Sequence, residues 1–222
     1  MDGHARAIVG QPYRQTAVFR AEIDSVVLNP SWTVPPGILA KDVLLALRRG
    51  EDVLARKHLR VYDRDGRALP ATAIDWSAYT ARKLPYVLRQ DPGAGNALGR
   101  VKIDFPNPYL VYLHDTPTRA LFGKVGRTFS SGCIRIDRPL ELVERLRANP
   151  VRWNAAALRA AVDSGETRTL ALPRQVPVLV IYRTAEADAD GRVVFKPDVY
   201  HRDLRLLRPL DGRFGVSARD RP

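Results

Sequence analysis

The chain holds one cysteine, Cys133, and four histidines, His4, His58, His114 and His201. A thiol is an acyl-transfer nucleophile only as thiolate, and a free pKa of about 8.5 leaves it mostly protonated at neutral pH. It therefore needs a neighbouring base, usually an imidazole. His4 and His201 lie near the termini and His58 falls in a region of weak pattern. His114 instead ends the apolar run Tyr109-Leu110-Val111-Tyr112-Leu113, read as a central strand that would hold the ring rigidly at the sheet edge. The nineteen positions from His114 to Cys133 let a loop leave that strand and return beside it. Gly132, with no Cβ, lets a substrate carbonyl approach the backbone. The N–H groups of Gly132 and Cys133 could then face a developing oxyanion. Arg127, Arg135 and Arg138 could favour the thiolate or hold a substrate carboxylate. The competing reading has Cys133 as a small buried hydrophobe and His114 as a polar strand end. Residue types and spacing leave both readings open, because Cys–His spacings do not transfer between unrelated families.

The elements around this pair read as mainly β with a few short helices. Residues 7–9 look like a strand. From Thr16 to Asp24, apolar Ala17, Phe19, Ala21 and Ile23 alternate with polar residues, the mark of a half-buried strand. Val26-Val27-Leu28 follows as a further apolar piece, then the breaker-rich Asn29 to Gly37. Ile38 to about Arg49 predicts a short helix with Val43, Leu44 and Leu47 inward, and Leu59 to Tyr62 a short strand. Residues 33–92 have mixed, weak periodicity and read as an inserted lobe outside any regular sheet, within a single domain spanning 1–222. Val101, Ile103 and Phe105 alternate with Lys102 and Asp104, another strand. Asp137 is placed to cap a helix beginning at Arg138-Pro139, and a second helix runs from about Asn154 to Asp163. Strands follow at Thr167 to Leu172 and at Val176 to Arg183, then a hairpin turning at Asp188 to Gly191.

Composition narrows the classes. With 222 residues and 45% apolar content the chain can bury a sizeable core, and 27% charge argues against disorder. No apolar run is long enough to span a membrane, so no membrane contact is expected within this chain. No signal-like segment opens it, so a targeting segment is expected to be missing and the chain to be an excised domain. The net charge of +12 suits an acidic cell-wall polymer, but it also reflects arginine usage along the whole chain. The one mild basic concentration runs from His201 to Arg221, and no nucleic-acid motif accompanies it. Gly93 to Gly99 mimics a dinucleotide loop, with its third glycine one position late and a strand where a helix is required. Asp63 to Gly66 and Asp188 to Gly191 are turns and not calcium loops.

The segment from Tyr112 to Pro117, followed by Ser130-Ser131-Gly132-Cys133-Ile134-Arg135, resembles the signature of L,D-transpeptidases of the YkuD-type fold. In that family a histidine precedes Ser-x-Gly-Cys-apolar-Arg at this spacing. Asn96-Ala97-Leu98-Gly99-Arg100 is similar to a family element before the strand. Many members carry histidine where Ser131 stands. A serine there resembles the cap-bearing periplasmic enzymes of Gram-negative bacteria, as do Asn29 to Pro36, Asp75-Trp76-Ser77 and Trp153-Asn154.

The resemblance implies a β-sandwich or barrel-like catalytic domain with an inserted cap, a periplasmic location, and neither cofactor nor metal. It implies Cys133 as nucleophile, His114 as base, the backbone carbonyl of Asp115 orienting that base, and the Gly132 amide at the oxyanion. The expected partners are peptidoglycan tetrapeptide stems and carbapenem-type inhibitors, with no nucleic acid. The expected reaction joins two meso-diaminopimelate residues and releases D-Ala. Tyr112, Ser131, Arg135 and Trp32 are the candidate substrate contacts. Tyr112 shares a strand face with His114, though ordinary packing explains it too. Trp32 is either part of a lid or plain core. Arg135 either binds a diaminopimelate carboxylate or braces the loop through an ion pair. Three other functions use the same residues differently. One is a carboxypeptidase, or a hydrolase of wall-attached protein, resolving the thioester with water. Another is a basic wall-binding module with an inert thiol. The last is a redox sensor, for which no resolving cysteine exists.

Overall fold

Residues 7–9 open the first strand, β1 (Ala7–Gly10), and the alternating segment after it becomes β2 (Phe19–Leu28). The structure, a computed structural model, describes residues 3–149, 151–205 and 207. The basic tail noted in the sequence therefore lies outside the described residues from position 208 onward. The chain divides into two compact units, Met1–Leu179 and Val180–Pro222.

Val26 to Leu28 prolongs β2 instead of forming a separate piece, because it pairs in continuous register with the strand at Val101 to Ile103. Residues 33–92 depart further from expectation. They form a four-stranded sheet of their own, β3 (Trp32–Thr33), β4 (Arg60–Tyr62), β5 (Ala68–Leu69) and β6 (Val87–Gln90), in the order β3-β6-β4-β5. Strands of two to four residues are too short for a period of two to show in sequence. The helix expected here runs as α1 (Pro36–Ile38), a π-helical turn at Leu39–Val43, and α2 (Leu44–Arg48), with α3 (Val53–Arg56) after it. Trp32, Val34, Val43, Val53, Leu59 and Leu88 make a core for this lobe.

The main sheet uses β7 (Val101–Asp104), β8 (Leu113–His114), β9 (Thr128–Ser130), β10 (Ile134–Ile136) and β11 (Arg168–Val180), in the order β11-β2-β7-β8-β10-β1-β9. Helices α4 (Pro139–Arg147) and α5 (Ala155–Asp163) pack on it through Val143 and Leu158, both fully buried against Val26, Leu28, Val101 and Ile103. Truncating a side chain as enclosed as Ile103 to alanine costs roughly 2–5 kcal/mol, so this core fixes the strands that carry the site. The protein is mainly β-sheet with a few short helices.

Three local expectations change. The apolar run before His114 is not a strand: β8 begins only at Leu113. Asn107 takes up the backbone of this stretch, its Nδ2 donating to the Phe105 and Val111 carbonyls and its Oδ1 accepting from the Tyr109 and Val111 amides. Leu110 is left-handed at φ 55°, and Tyr109 and Leu110 are exposed. Asp137 does not cap α4. It accepts from the backbone N–H and Nε of Arg6, and the helix starts at Pro139, whose missing N–H suits a first turn. The two strands expected between 167 and 183 are one, because Pro173 and Pro177 fall on an edge strand where no ladder donor is required. Asn154, by contrast, caps α5 as its position implied, accepting from the Ala157 amide.

In the second unit, β12 (Ala185–Ala187) and β13 (Val193–Phe195) form the expected hairpin. The Tyr182 ring stacks on Tyr200, and its hydroxyl donates to Asp198.

Candidate active site

β8 lies in the middle of the main sheet, between antiparallel β7 and parallel β10. His114 thus ends a central strand instead of sitting at an edge. After it the chain makes a turn at Arg119–Gly123, crosses to β9, turns sharply and comes back as β10. The returning strand registers Arg135 against His114 and Ile134 against Leu113. Neighbouring strands are about 4.8 Å apart, so Cys133, one residue before β10, arrives beside Tyr112. Alternate residues share a face, and Tyr112 and His114 meet Cys133 and Arg135 in one cavity of about 520 Å³. Trp32 and Ser131 line it too, and the inserted lobe supplies Pro36, Ile38, Lys41 and Asp42. His4 and His58 do not line this cavity.

His114 is 4% exposed, and its Nδ1 lies 2.5 Å from the Asp115 carbonyl oxygen. A carbonyl can only accept, so Nδ1 carries the proton and Nε2 is the basic nitrogen. The Asp115 side chain faces elsewhere: its carboxylate accepts from the Arg100 amide at 3.0 Å and from Arg119 at 2.9 Å. Burial, with the charges of Arg135 and Lys102 in support, pushes the His114 imidazole down to about 3, against the opposing bond to Asp115. The ring is therefore neutral at physiological pH.

Cys133 is half-buried. Its thiol points to the Leu110 carbonyl oxygen at 3.7 Å, and Tyr112 reaches the sulfur through both its backbone N–H and its hydroxyl. Burial raises the thiol above its ordinary range, and Tyr112, Lys102 and Arg135 pull the other way without reversing the shift. The cavity at rest is thus lined by a neutral thiol and a neutral imidazole. Burial also raises the Tyr112 phenol, so it stays a donor toward sulfur, and the Trp32 side chain hydrogen-bonds to it in turn. The rings of Tyr112 and His114 meet edge-on at 5.6 Å, and the Lys102 ammonium sits 4.7 Å from the Tyr112 ring centroid. Trp32 is 8% exposed and packs in the lobe's core, and it also borders the cavity.

Gly132 adopts φ 117°, where a side chain would be strained. Its N–H, expected to face an oxyanion, donates to Ser130 Oγ at 3.1 Å in this structure. Ser130 Oγ in turn donates to the Cys133 carbonyl at 2.5 Å. Ser130 is buried and ties the turn that carries Cys133, a role its sequence position beside Ser131 did not single out. Arg135 donates to Thr118 Oγ1 at 3.2 Å, while its buried Nε has no hydrogen-bond partner, and no ion pair involves it among the described residues. Arg127 and Arg138 are engaged elsewhere, Arg127 with the Ala7 and Lys124 carbonyls and Arg138 with Glu141.

Gly99 is a further residue that sequence reasoning did not separate from its motif. It has φ 60°, and a Cβ there would stand 2.4 Å from Asp115 Oδ2. The glycine lets the Asp115 carboxylate press against this turn and reach the Arg100 amide. The motif signal was present, because Gly99 lies in the Asn-x-Leu-Gly element, but its reason is visible only in space.

Residues 2–174 match the YkuD family, described as the L,D-transpeptidase catalytic domain. A Haemophilus influenzae protein, whose name assigns it provisionally to the L,D-transpeptidases, is 31% identical over 202 residues, 91% of this chain and 40% of that relative. The chain spans about two fifths of the length of the curated relative it matches.

Proposed function

The chain belongs to the L,D-transpeptidase catalytic-domain family, and from that premise we propose that it cross-links peptidoglycan stems through a thioester on Cys133. The observation that supports this most directly is the parallel return of β10 beside β8, with Cys133 and His114 both lining one cavity. In the proposed donor half-reaction, Cys133 Sγ attacks the carbonyl between the L-centre of meso-diaminopimelate and terminal D-Ala. His114 Nε2 accepts the thiol proton, the S–C bond forms, and the C–N bond breaks. D-Ala departs with the proton carried by His114. In the second half-reaction an amine of another stem attacks the thioester and gives a proton to His114. The S–C bond breaks, and the thiolate takes that proton back. The product is a diaminopimelate-to-diaminopimelate bridge.

Neutral His114 suits a general base, since an imidazolium could not accept the thiol proton. The Asp115 carbonyl fixes the tautomer, so its carboxylate need not take part. The Cys133 and Gly132 amides would stabilise the oxyanion, Gly132 exchanging Ser130 Oγ for the substrate oxygen. The unpartnered Nε of Arg135 is suited to a stem carboxylate, because a buried donor left unpaired is costly until a ligand satisfies it. Tyr112 and Trp32 would line the donor side, and the inserted lobe would cover it. The reaction belongs in the periplasm, where peptidoglycan is assembled.

Two measurements test the proposal. Incubation with a carbapenem, followed by mass spectrometry, should give a covalent adduct on Cys133, abolished in Cys133→Ala. Folded protein with no adduct would overturn the assignment of Cys133. Incubation with tetrapeptide stems should give cross-linked dimers and D-Ala. Uncross-linked tripeptides alone would replace transpeptidation with hydrolysis.

A further inference from the structure

Three consecutive residues before Cys133 are each held by one short segment after β1. The Gln11 amide donates to the Ser130 carbonyl at 3.0 Å, Arg14 Nη1 donates to Ser131 Oγ at 3.0 Å, and Thr16 Oγ1 donates to the Gly132 carbonyl at 2.9 Å. The same Arg14 reaches the inserted lobe. Its two terminal nitrogens sit 2.7 Å from the two oxygens of Asp42, a fork-to-fork pair. The Arg14 side chain is 17% exposed, so the pair is partly shielded from solvent and from salt. Asp42 lies within the π-helical turn at Leu39–Val43, on the wall of the Cys133 cavity. π-turns interrupt helices mostly where function needs the irregularity.

We propose that Arg14 is a positioning residue that couples closure of the inserted lobe to the geometry of the Cys133 turn. The proposal rests on Cys133 being the reacting thiol. One guanidinium grips the lobe at Asp42 and the nucleophile turn at Ser131, so movement of either reaches the other. With the lobe down, Arg14 is fixed by Asp42 and presents Nη1 to Ser131, two residues before the sulfur. With the lobe raised, Arg14 loses both acceptor oxygens of Asp42, and the bond to Ser131 loses its fixed donor. The device gives a reason for serine at position 131, since its hydroxyl is the acceptor that completes the link. The interaction is an ion pair at the lobe and a hydrogen bond from the same charged guanidinium to a neutral hydroxyl at the turn. Lysine at position 14 can therefore keep an ion pair with Asp42 while losing the fork that serves both partners.

The test follows Asp42→Asn and Arg14→Lys by amide hydrogen exchange and by the pH dependence of Cys133 alkylation with iodoacetamide. In Asp42→Asn, exchange across residues 36–48 should quicken at least tenfold. The pH profile of Cys133 alkylation should also shift, although residue 42 does not touch the sulfur. Arg14→Lys should leave exchange at 36–48 within about threefold of wild type while still shifting the Cys133 profile. Quicker exchange at 36–48 with an unchanged Cys133 profile in both variants would make the pair a simple brace and overturn the coupling. Unchanged exchange in Asp42→Asn would overturn the grip on the lobe. Both readouts are independent of transpeptidation, so a failed carbapenem adduct would strike the Cys133 assignment alone.

Discussion

The Nδ1–H of His114 donates to the backbone carbonyl of Asp115 at 2.5 Å, while the Asp115 carboxylate turns away to the Arg100 amide and the Arg119 guanidinium. One residue thus acts in two directions: its main chain sets the tautomer of the imidazole and its side chain anchors the loop after β8. Replacing Asp115 by asparagine should therefore cost stability through Arg119 and Arg100 while leaving a functional His114. The check is a comparison of thermal melting with the acylation rate. A loss of rate as large as that of His114→Ala would assign the carboxylate a direct catalytic part.

Burial holds the Cys133 thiol above its ordinary pKa and His114 far below its own. No thiolate–imidazolium pair should then exist at neutral pH. The rate of iodoacetamide alkylation should climb about tenfold per pH unit from neutral into the alkaline range. A plateau extending down to pH 5 or 6 would show a preformed ion pair instead.

The depressed pKa of His114 also links stability to acid. The folded imidazole binds a proton only near pH 3, whereas the unfolded one does so near its ordinary value of 6.5. The unfolded state thus takes up more protons as pH falls through that interval. The stabilisation is complete above pH 6.5 and drains away down to pH 3, by up to a few kcal/mol. Urea denaturation at pH 7 and pH 4.5 should show this loss in wild type and a smaller one in His114→Gln.

Gly99→Ala should be among the more damaging small substitutions. It would force a Cβ to within 2.4 Å of the Asp115 carboxylate at a backbone angle of φ 60°. A cost of roughly 2–4 kcal/mol is expected from strain and overpacking together. Denaturant melts measure it, and a change below about 0.5 kcal/mol would show that the Asp115 loop relaxes freely.

Tyr112→Phe removes a hydroxyl within reach of the sulfur and accepting from Trp32, without emptying the space. Loss of one such hydrogen bond corresponds to about a three- to tenfold drop in acylation rate. Melting temperature should move little. An unchanged rate would reduce Tyr112 to packing.

Much of the candidate site was legible in the chain because it is written locally. Cys133 is the one thiol, Gly132 must precede it to turn at φ 117°, and His114 closes an apolar run. Residues 33–92 stood out as a stretch of weak pattern but not as a sheet, since pairs such as Trp32 with Gln90 and Val61 with Leu69 are too short to leave a periodic trace. The run before His114 misled because five apolar residues satisfy a strand pattern, while the four bonds of the Asn107 side chain bend them into a loop.

The sequence by itself determined the chemistry on offer: one thiol, one well-placed imidazole, and the glycine and serine that let the thiol sit in a tight turn. Only the tertiary structure decided how these groups meet. The parallel return of β10 beside β8 puts Cys133 next to Tyr112 and Arg135 next to His114. The fork from Arg14 joins residues 14, 42 and 131. The reason is physical: local pattern encodes which face a side chain takes, whereas hydrogen bonds between distant segments depend on register and burial that the folded core imposes.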